Sequence, residues 1–333
     1  MNRPPTEFKR IAAADLRAFG TACLRAAGMS AAHAAQLADL LTNSDLRGVR
    51  SHGTRALYGY CCTLRDKKAN PDPDIRVLRE SDTHVFVDGD GSLGYAPTML
   101  AAERAIAKAK GKGLAIGAAC HIGHYGSAGH YVRRAMAENC VGFSVQAAYP
   151  QYYPSNDGRR AAHYGNPPLC FGLPGQEGPP VVLDVATCIL ADYQRGEQIE
   201  AIEEVIPAAF FKSMGYTAIA TLLGGAFVGQ GGDRAREIAA QWPSARMGSL
   251  ILVLDLGLFA PTPQVRCGVD ELVRLANEQM IPLRGYDEVT LPGTPEHRNE
   301  ETYARDGIPI GLEDVERLAE CGRAFGVVPS WLD

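Results

Sequence analysis

The sequence lacks several features that would each assign it to a particular class of protein. No apolar run approaches the roughly 18 residues that a membrane-spanning helix needs, and the first stretch, MNRPPTEFKR, has no hydrophobic signal region. The nine cysteines are irregularly spaced and form no CxxC pair, which argues against a disulfide framework and against a zinc ribbon. We therefore expect a cytoplasmic protein with reduced thiols and no membrane partner.

Excess charge of one sign is also missing. The chain has 33 basic and 38 acidic residues among 333, a net charge of -5, and its lysines and arginines are scattered. Such a surface offers no electrostatic footprint for nucleic acid or for an anionic membrane. A small-molecule enzyme with a large core is the class that this composition favours.

The periodicity of apolar residues indicates an α/β protein. Helical spacing over positions 16–24 and again over 34–41 predicts two N-terminal helices, with Ser30 as the N-cap of the second. Further helices are expected at about 97–110, 128–138, 213–224, 268–278 and 312–324. Short β-like runs lie between them: THVFVD, GLAIGAA, VGFSVQAA, PVVLDVA and GSLILVLD. The segment 150–180, dense in Pro, Gly, Tyr and Asn, predicts a long loop.

The glycine- and histidine-rich stretch CHIGHYGSAGHY (120–131) admits three interpretations. Metal binding is disfavoured, because the histidines are three and six residues apart with glycines between them and no carboxylate lies in the loop. A nucleotide loop is favoured by its place between a predicted strand and a predicted helix, whose N-terminal N–H groups suit a pyrophosphate. It is not the GxGxxG pattern of a Rossmann fold. A glycine turn with surface histidines remains the alternative.

A second stretch, NSDLRGVRSHGTRALYGY (43–60), brings three reactive side chains together after a helix. Ser51 and His52 are adjacent, and Arg55 follows. Histidine exchanges a proton near neutral pH, a serine hydroxyl can orient that proton, and an arginine fork suits a substrate carboxylate. The alternative is a helix C-terminus in which His52 and Arg55 have structural contacts only.

Taken together, these motifs resemble the type 2 malate and L-lactate dehydrogenases over nearly the whole chain. That family also includes ureidoglycolate and sulfolactate dehydrogenases and cyclic imino acid reductases. The matching stretches are DLRGVRSHGTR, the NPDP loop, VDGDGSLGY, HYGSAGHY, YGNPP, LDVATC, KSMGY and VTLPGTPEHR.

The resemblance implies a fold and an assembly. It implies an α/β fold of non-Rossmann type, with a mixed, largely antiparallel sheet flanked by helices, in a homodimer that binds NAD or NADP. It also implies an N-terminal helical segment at 1–75 that carries the Ser-His motif and a sheet core at 76–290 with the glycine-rich cofactor loops. A C-terminal segment at 291–333 would pack back on the N-terminal helices.

The resemblance also implies roles for individual residues in a hydride transfer to or from a small carboxylate substrate. His52, steadied by Ser51, would exchange the proton, and His124 would orient the reacting group. Arg47 or Arg55 would hold the substrate carboxylate. The residues expected on the cofactor side are Gly123, Tyr125, Gly126, Gly129, Asn166, Pro167, Asp184, Thr187 and Lys212. Asp184 can equally be a structural carboxylate, and Lys212 an ordinary surface lysine.

The chain departs from the family pattern mainly on the cofactor side. The connection between Thr187 and Lys212 is shorter than usual, Ser213 stands where the family has glycine, and Gln146 stands where it has asparagine. Two classes of function therefore stay open beside a catalytically silent binding protein. One is an oxidoreductase of 2-hydroxy, 2-oxo or cyclic imino acids. The other has lost nicotinamide binding and uses His52 and His124 for redox-neutral lyase, isomerase or hydrolase chemistry.

Overall fold

The computed structural model describes residues 4–149, 165–189 and 198–331. It divides into two compact units, each with its own core. Unit 1 consists of Met1–Asp74, Leu173–Val181 and Ala260–Asp333, and unit 2 consists of Ile75–Gly172 and Val182–Phe259. Within the described residues, no helix is long and apolar enough to cross a membrane.

Unit 1 is mainly helical, and it joins the two ends of the chain. Its helices are α1 (Ala13–Ala26), α2 (Ala31–Leu46), α3 (Leu57–Arg65), α9 (Thr262–Gln279), α10 (Thr294–Asp306) and α11 (Leu312–Phe325). Two strands, β1 (Phe8–Ile11) and β9 (Ile308–Gly311), pair in antiparallel fashion and so connect the N-terminal and C-terminal segments. Buried leucines from α1, α2 and α3 fill the core between these helices.

Unit 2 is built on a seven-stranded sheet. Its strands are β2 (Arg76–Glu80), β3 (His84–Asp88), β4 (Leu114–Ile122), β5 (Cys140–Ala148), β6 (Pro168–Leu173), β7 (Val181–Ala186) and β8 (Met247–Asp255). The order across the sheet is β2-β3-β4-β8-β5-β6-β7. β3 and β4 are parallel, whereas the pairs β2–β3, β4–β8, β8–β5 and β5–β6 are antiparallel. This mixed, largely antiparallel sheet confirms the expected fold class.

Helices of unit 2 pack against this sheet or follow its strands. They are α4 (Tyr95–Lys112), α5 (Gly129–Ala137), α6 (Gln198–Val205), α7 (Pro207–Thr221) and α8 (Asp233–Gln241). A π-helical turn over Leu222–Ala226 extends α7. The strand, glycine turn and helix predicted around residues 113–138 are present as β4, the turn and α5.

The prediction of a continuous loop over 150–180 is wrong for part of that range. Pro168–Leu173 is a strand, paired with β5 so that Phe171 lies opposite Phe143, with 4.7 Å between their ring centroids. Cross-strand aromatic contacts of this kind stabilise a sheet. Pairing with β5 therefore makes this segment a strand despite its local Pro and Gly content. Residues 150–164 lie outside the described residues.

Helix α2 begins as the sequence predicts, and its cap can be tested. The Ser30 hydroxyl oxygen accepts a hydrogen bond from the N–H of His33 at 3.3 Å. Ser30→Ala leaves that N–H without its partner and should lower the free energy of unfolding by about 1 kcal/mol. Ser30→Asp, which keeps an acceptor, should stay close to wild type in urea titrations. Equal stability of all three proteins would contradict the assignment of the cap.

Candidate active site

The turn between α2 and α3 carries the Ser-His motif and is fixed by one buried carboxylate. Asp45, only 3% exposed, accepts hydrogen bonds at Oδ2 from the Thr54 N–H at 2.7 Å and from the Thr54 hydroxyl at 2.6 Å. Glycine is required at position 53, because a Cβ there would lie 1.8 Å from Oδ1 of Asp45. The carboxylate thus closes the segment 46–53 into a loop of defined shape.

Burial changes the protonation of this carboxyl group. Burial raises the pKa of Asp45 from 3.8 to about 7, although the hydrogen bonds from Thr54 favour the ionised form. The nearby carboxylate of Asp314 also raises this pKa, while the guanidinium of Arg50 lowers it. Asp45 is therefore a group whose charge changes near neutral pH within the turn that carries the predicted catalytic histidine.

Ser51 and His52 are in contact on this turn, as the sequence predicts. The Ser51 hydroxyl lies 2.9 Å from Nδ1 of His52. Ser51 is exposed and His52 is partly exposed, at the end of a short 3-10 turn over Arg50–His52. A hydrogen bond at Nδ1 fixes the ring orientation and directs proton exchange with a ligand to Nε2.

Arginines near His52 are engaged by carboxylates of unit 1. Arg47 donates from Nε and Nη2 to the carboxylate of Glu300 at 3.2 and 3.0 Å, and its side chain is 15% exposed. Arg55 lies 3.3 Å from Oδ1 of Asp314 and stays 42% exposed. Asp314 also accepts a hydrogen bond from Arg50 at 2.9 Å. Both arginines predicted to hold a substrate carboxylate thus already form an ion pair with a carboxylate of unit 1.

The glycine turn of unit 2 is held by an amide side chain. Gln146 on β5 accepts a hydrogen bond from the Tyr125 N–H at 3.0 Å and donates one to the carbonyl oxygen of Gly123 at 2.9 Å. Both peptide groups beside His124 are therefore fixed. Nδ1 of His124 accepts a hydrogen bond from the Gly126 N–H at 3.3 Å. The neutral ring consequently carries its proton on Nε2.

Tyr125, predicted on the cofactor side, is fully buried. Its hydroxyl lies 3.1 Å from the Ser144 hydroxyl, and its ring packs against that of Tyr131. Burial raises the pKa of the Tyr125 phenol well above its ordinary value. Gly126 has a φ of 82°, and a Cβ there would lie 2.5 Å from the Tyr95 ring. The N–H and the carbonyl oxygen of Tyr125 are also bound within the protein, by Gln146 and by the Tyr131 hydroxyl, so this residue shapes the turn from the core.

The N-terminus of α5 binds a carboxylate of the same unit. Asp184 Oδ2 accepts hydrogen bonds from the Gly129 N–H at 2.9 Å and from the Ser127 hydroxyl at 2.6 Å. A carboxylate at this position interacts favourably with the helix dipole. The end of α5 that was expected to receive a pyrophosphate is thus occupied by Asp184, in line with the structural alternative for this residue.

The end of β7 is joined to α7 by hydroxyl groups. Thr187 and Thr217 hydroxyls lie 2.8 Å apart, and the Ser213 hydroxyl donates to the carbonyl oxygen of Thr187 at 2.6 Å. The Thr187 N–H donates to the carbonyl oxygen of Pro167 at 3.1 Å. Ser213, a departure from the family pattern, therefore satisfies a backbone carbonyl.

Two further predicted cofactor residues reach the surface of unit 2. Asn166 is exposed, and its Oδ1 accepts a hydrogen bond from the Cys188 thiol at 3.0 Å. Lys212 is exposed on α7. Exposure of Lys212 fits both the cofactor role and the surface lysine that the sequence left open, and a cofactor role for Asn166 stays a prediction.

Two buried polar groups lie on either side of the π-helical turn that follows α7. Within the described residues, Thr221 Oγ1 and Gln230 Nε2 are buried without a hydrogen-bond partner. The turn packs closely on β5, since a Cβ at Gly224 would lie 2.7 Å from the Ala147 nitrogen. π-helical turns of this kind are frequent at functional sites. These donors fit a polar cofactor beside the β5 residue that holds the glycine turn.

Several residues of the site were not found by sequence reasoning. Asp45 lies within the quoted motif, and its place near the end of an amphipathic helix was the available signal. Asp314 and Glu300 are more than 240 positions away from the arginines that they bind, and their own surroundings in the sequence carry no signal for this contact. Gln146 was noted only as a departure from the family pattern.

The pKa of Asp45 predicts a pH dependence of stability. Between about pH 4 and pH 7 the folded protein retains the Asp45 proton that the unfolded chain releases, so the free energy of unfolding falls as the pH rises. From about pH 5 to pH 8 this loss should be roughly 2–3 kcal/mol. The amide oxygen of Asp45→Asn can still accept from Thr54. This variant should therefore show no such loss of unfolding free energy between pH 5 and pH 8, as measured by urea titration at the two pH values.

The control for this prediction is a carboxylate of similar chemistry on the surface. Asp39 on α2 forms an exposed ion pair with Arg17. Asp39→Asn should therefore keep the wild-type pH dependence. If Asp45→Asn and wild type lose the same stability between the two pH values, the buried carboxyl group does not titrate in this range.

Comparison with known proteins places these features in a family. The malate/L-lactate dehydrogenase profile matches residues 11–201. A malate dehydrogenase from Pyrococcus abyssi is 26% identical to this chain, and the match covers 96% of both chains. A ureidoglycolate dehydrogenase (NAD(+)) from Escherichia coli is 24% identical, and that match covers 87% of this chain and 88% of that protein. The malate dehydrogenase structure from Pyrococcus horikoshii superimposes with a TM-score of 0.82 over 98% of both chains at 23% identity, which supports the fold. The chain belongs to the malate/L-lactate dehydrogenase family of oxidoreductases.

Proposed function

We propose that the protein is an NAD(P)-dependent oxidoreductase that interconverts a small 2-hydroxy acid and its 2-oxo acid, or a cyclic imino acid and its imine. The observation that carries this proposal is the Ser51–His52 hydrogen bond of 2.9 Å on a turn fixed by Asp45. Family membership and the NAD(+)-dependent relative support it.

His52 acts as the general acid and base. In the direction of reduction, Nε2 of protonated His52 gives its proton to the carbonyl oxygen or imine nitrogen, which becomes a hydroxyl or amine. In the direction of oxidation, the neutral ring takes that proton back. Ser51 holds Nδ1 throughout and thereby keeps Nε2 directed to the substrate. When bound, a nicotinamide cofactor supplies or accepts the hydride.

Arg55 is the better of the two arginines to hold the substrate carboxylate. Its contact with Asp314 uses Nε, and 42% of its side chain remains exposed. Arg47 is bound by two contacts to Glu300 and is 15% exposed, so its participation requires exchange of that carboxylate. When a guanidinium exchanges a protein carboxylate for the substrate carboxylate, it keeps an ion pair.

His124 orients the reacting group. Because its Nδ1 accepts from the Gly126 N–H, the neutral ring donates through its Nε2–H. The peptide groups on either side are fixed by Gln146, which limits the range of ring positions. His124 thus supplies a preorganised hydrogen-bond donor, whereas His52 moves the proton.

The cofactor side is formed by the glycine turn, the end of β7 and α7. Gly123, Gly126 and Gly129 shape the buried turn, and Asn166 and Lys212 present polar groups at the surface. Among the described residues, the Thr221 hydroxyl and the Gln230 amide nitrogen are buried without a hydrogen-bond partner. Asp184, Thr187 and Pro167 keep these elements in register through their own hydrogen bonds. The set fits NAD or NADP.

A homodimer in the cytoplasm completes the proposal. Apolar side chains on α7 are exposed in the single chain: Phe211 by 71%, Tyr216 by 59% and Ile219 by 54%. A second copy would cover such a face. All nine cysteines are free thiols, which suits a reducing compartment.

The role of His52 is tested against a matched histidine. Ser81 and His84 form a second exposed Ser-His pair, with 2.6 Å between the hydroxyl and Nδ1, in the β2–β3 hairpin. His52→Asn should lower kcat/KM for a 2-oxo acid or cyclic imine by about 10²–10⁴-fold. Binding of NADH or NADPH, measured by fluorescence titration, should stay unchanged. His84→Asn should match wild type in both measurements.

Three results would contradict the proposal. Full activity of His52→Asn would remove its proton-transfer role, and an equal loss in His84→Asn would show a general effect on folding. Failure of the folded wild-type protein to bind either cofactor, oxidised or reduced, would exclude the oxidoreductase and favour redox-neutral chemistry at His52 and His124.

A further inference from the structure

Three metal-ligating atoms converge in unit 2 at the ends of β3 and β4. Asp88 and Cys120 are register partners on these parallel strands, and His121 follows Cys120. Nδ1 of His121 lies 2.9 Å from Oδ1 of Asp88 and 3.5 Å from Sγ of Cys120. All three atoms lie within 4.8 Å of one another. The loop 120–131 contains no carboxylate, which disfavoured a metal site from the sequence alone; in the structure the carboxylate comes from the neighbouring strand β3.

A local irregularity of β4 creates this convergence. Successive side chains of a regular strand point to opposite faces, so Cys120 and His121 would not both contact Asp88. The register of β4 against β8 shifts between Ala119 and Ile122, and His121 has a φ of 55°. This left-handed conformation is uncommon for residues that have a Cβ. It turns the imidazole to the side of Cys120 and Asp88.

The geometry argues against a nucleophilic relay among the same residues. A relay of thiol, imidazole and carboxylate uses two ring nitrogens, one for the nucleophile and the other for the carboxylate. Here the same nitrogen, Nδ1, faces both Cys120 and Asp88. Three ligand atoms that surround one common position are typical of a metal site.

We propose that Asp88, Cys120 and His121 bind a divalent metal ion of the zinc type, with a water molecule as the fourth ligand. Thiolate sulfur, imidazole nitrogen and carboxylate oxygen are the ligands that Zn²⁺ prefers. Tetrahedral Zn²⁺ at its usual bond lengths separates sulfur from nitrogen by about 3.5 Å, close to the distance found between Cys120 and His121. As the ion binds, the proton between Asp88 and Nδ1 and the proton of the Cys120 thiol pass to water, and Asp88 withdraws by about half an ångström from Nδ1.

The surroundings of the cluster suit this role. Cys120 is 2% exposed and His121 7% exposed, while the Asp88 side chain is 18% exposed and leaves a path from solvent. The Asp90 N–H donates to Oδ1 of Asp88 at 2.9 Å. Such outer contacts orient a ligating carboxylate.

The ion would fasten the loop after β3 to the end of β4. Already the Gly91 N–H donates to the carbonyl oxygen of His121 at 3.0 Å, and the Gly123 N–H donates to that of Ser92 at 2.7 Å. The glycine turn with His124 begins directly after this junction. The metal therefore has a structural role that is independent of the proposed hydride transfer.

Cobalt substitution tests the site, because a thiolate bound to Co²⁺ gives a charge-transfer absorption band. Chelator-treated, reduced full-length protein is titrated with Co²⁺ alone. The band should saturate at one ion per chain and disappear when Zn²⁺ is added. Cys120→Ser should abolish it, and His121→Asn should weaken Co²⁺ binding by about tenfold or more.

The matched control is another single buried thiol on a strand of the same sheet. Cys170 on β6 is fully buried and lies outside the cluster. Cys170→Ser should keep the wild-type band. Absence of a band in the wild-type protein overturns the proposal. So does a band that persists in both Cys120→Ser and His121→Asn, which would assign the ion to other thiols such as the buried Cys23, Cys61 and Cys321 of unit 1.

Discussion

The hydrogen bonds from Thr54 to the buried carboxylate of Asp45 are the constraint on which the candidate active site depends. They close the chain after α2 into a short loop, require glycine at position 53, and so determine where Ser51 and His52 lie. Removing one partner would leave a buried polar group unsatisfied, which costs far more than a surface contact contributes. The turn that carries Ser51 and His52 is therefore part of the core of unit 1 on one side and exposed on the other.

Side chains of unit 2 fix its glycine turn in the same way, with one amide and one carboxylate. The Gln146 amide fixes the peptide groups on both sides of His124, and Asp184 fixes the start of α5. Both of these side chains come from strands of the sheet, β5 and β7. A preorganised turn of this kind needs little rearrangement when a ligand binds, which favours both affinity and orientation.

Sequence reasoning found the features that are encoded locally. The helices α1 and α2, the Ser30 cap, the strand-turn-helix around His124 and the Ser51–His52 contact all follow from periodicity or adjacency along the chain. The strand β6 was missed because its pairing with β5 outweighs the local Pro and Gly signal.

Long-range partners were also missed. The carboxylates of Asp314 and Glu300 reach Arg55 and Arg47 only through the fold, and Asp88 meets Cys120 and His121 only through strand pairing. The role of Asp184 at α5 depends on a contact across 55 positions. No local pattern reports such contacts, whereas the family resemblance identified the motifs without showing what each residue touches.

Isotope transfer tests the central claim of hydride transfer assisted by His52 most directly. The protein is incubated with NADH and NADPH deuterated at the hydride position, together with a set of 2-oxo acids and cyclic imines. Mass spectrometry of the products should show one transferred deuterium at the former carbonyl or imine carbon, strongly reduced in His52→Asn and retained in His84→Asn. A substrate that is converted without deuterium, or deuterium transfer that is unchanged in His52→Asn, would contradict the account.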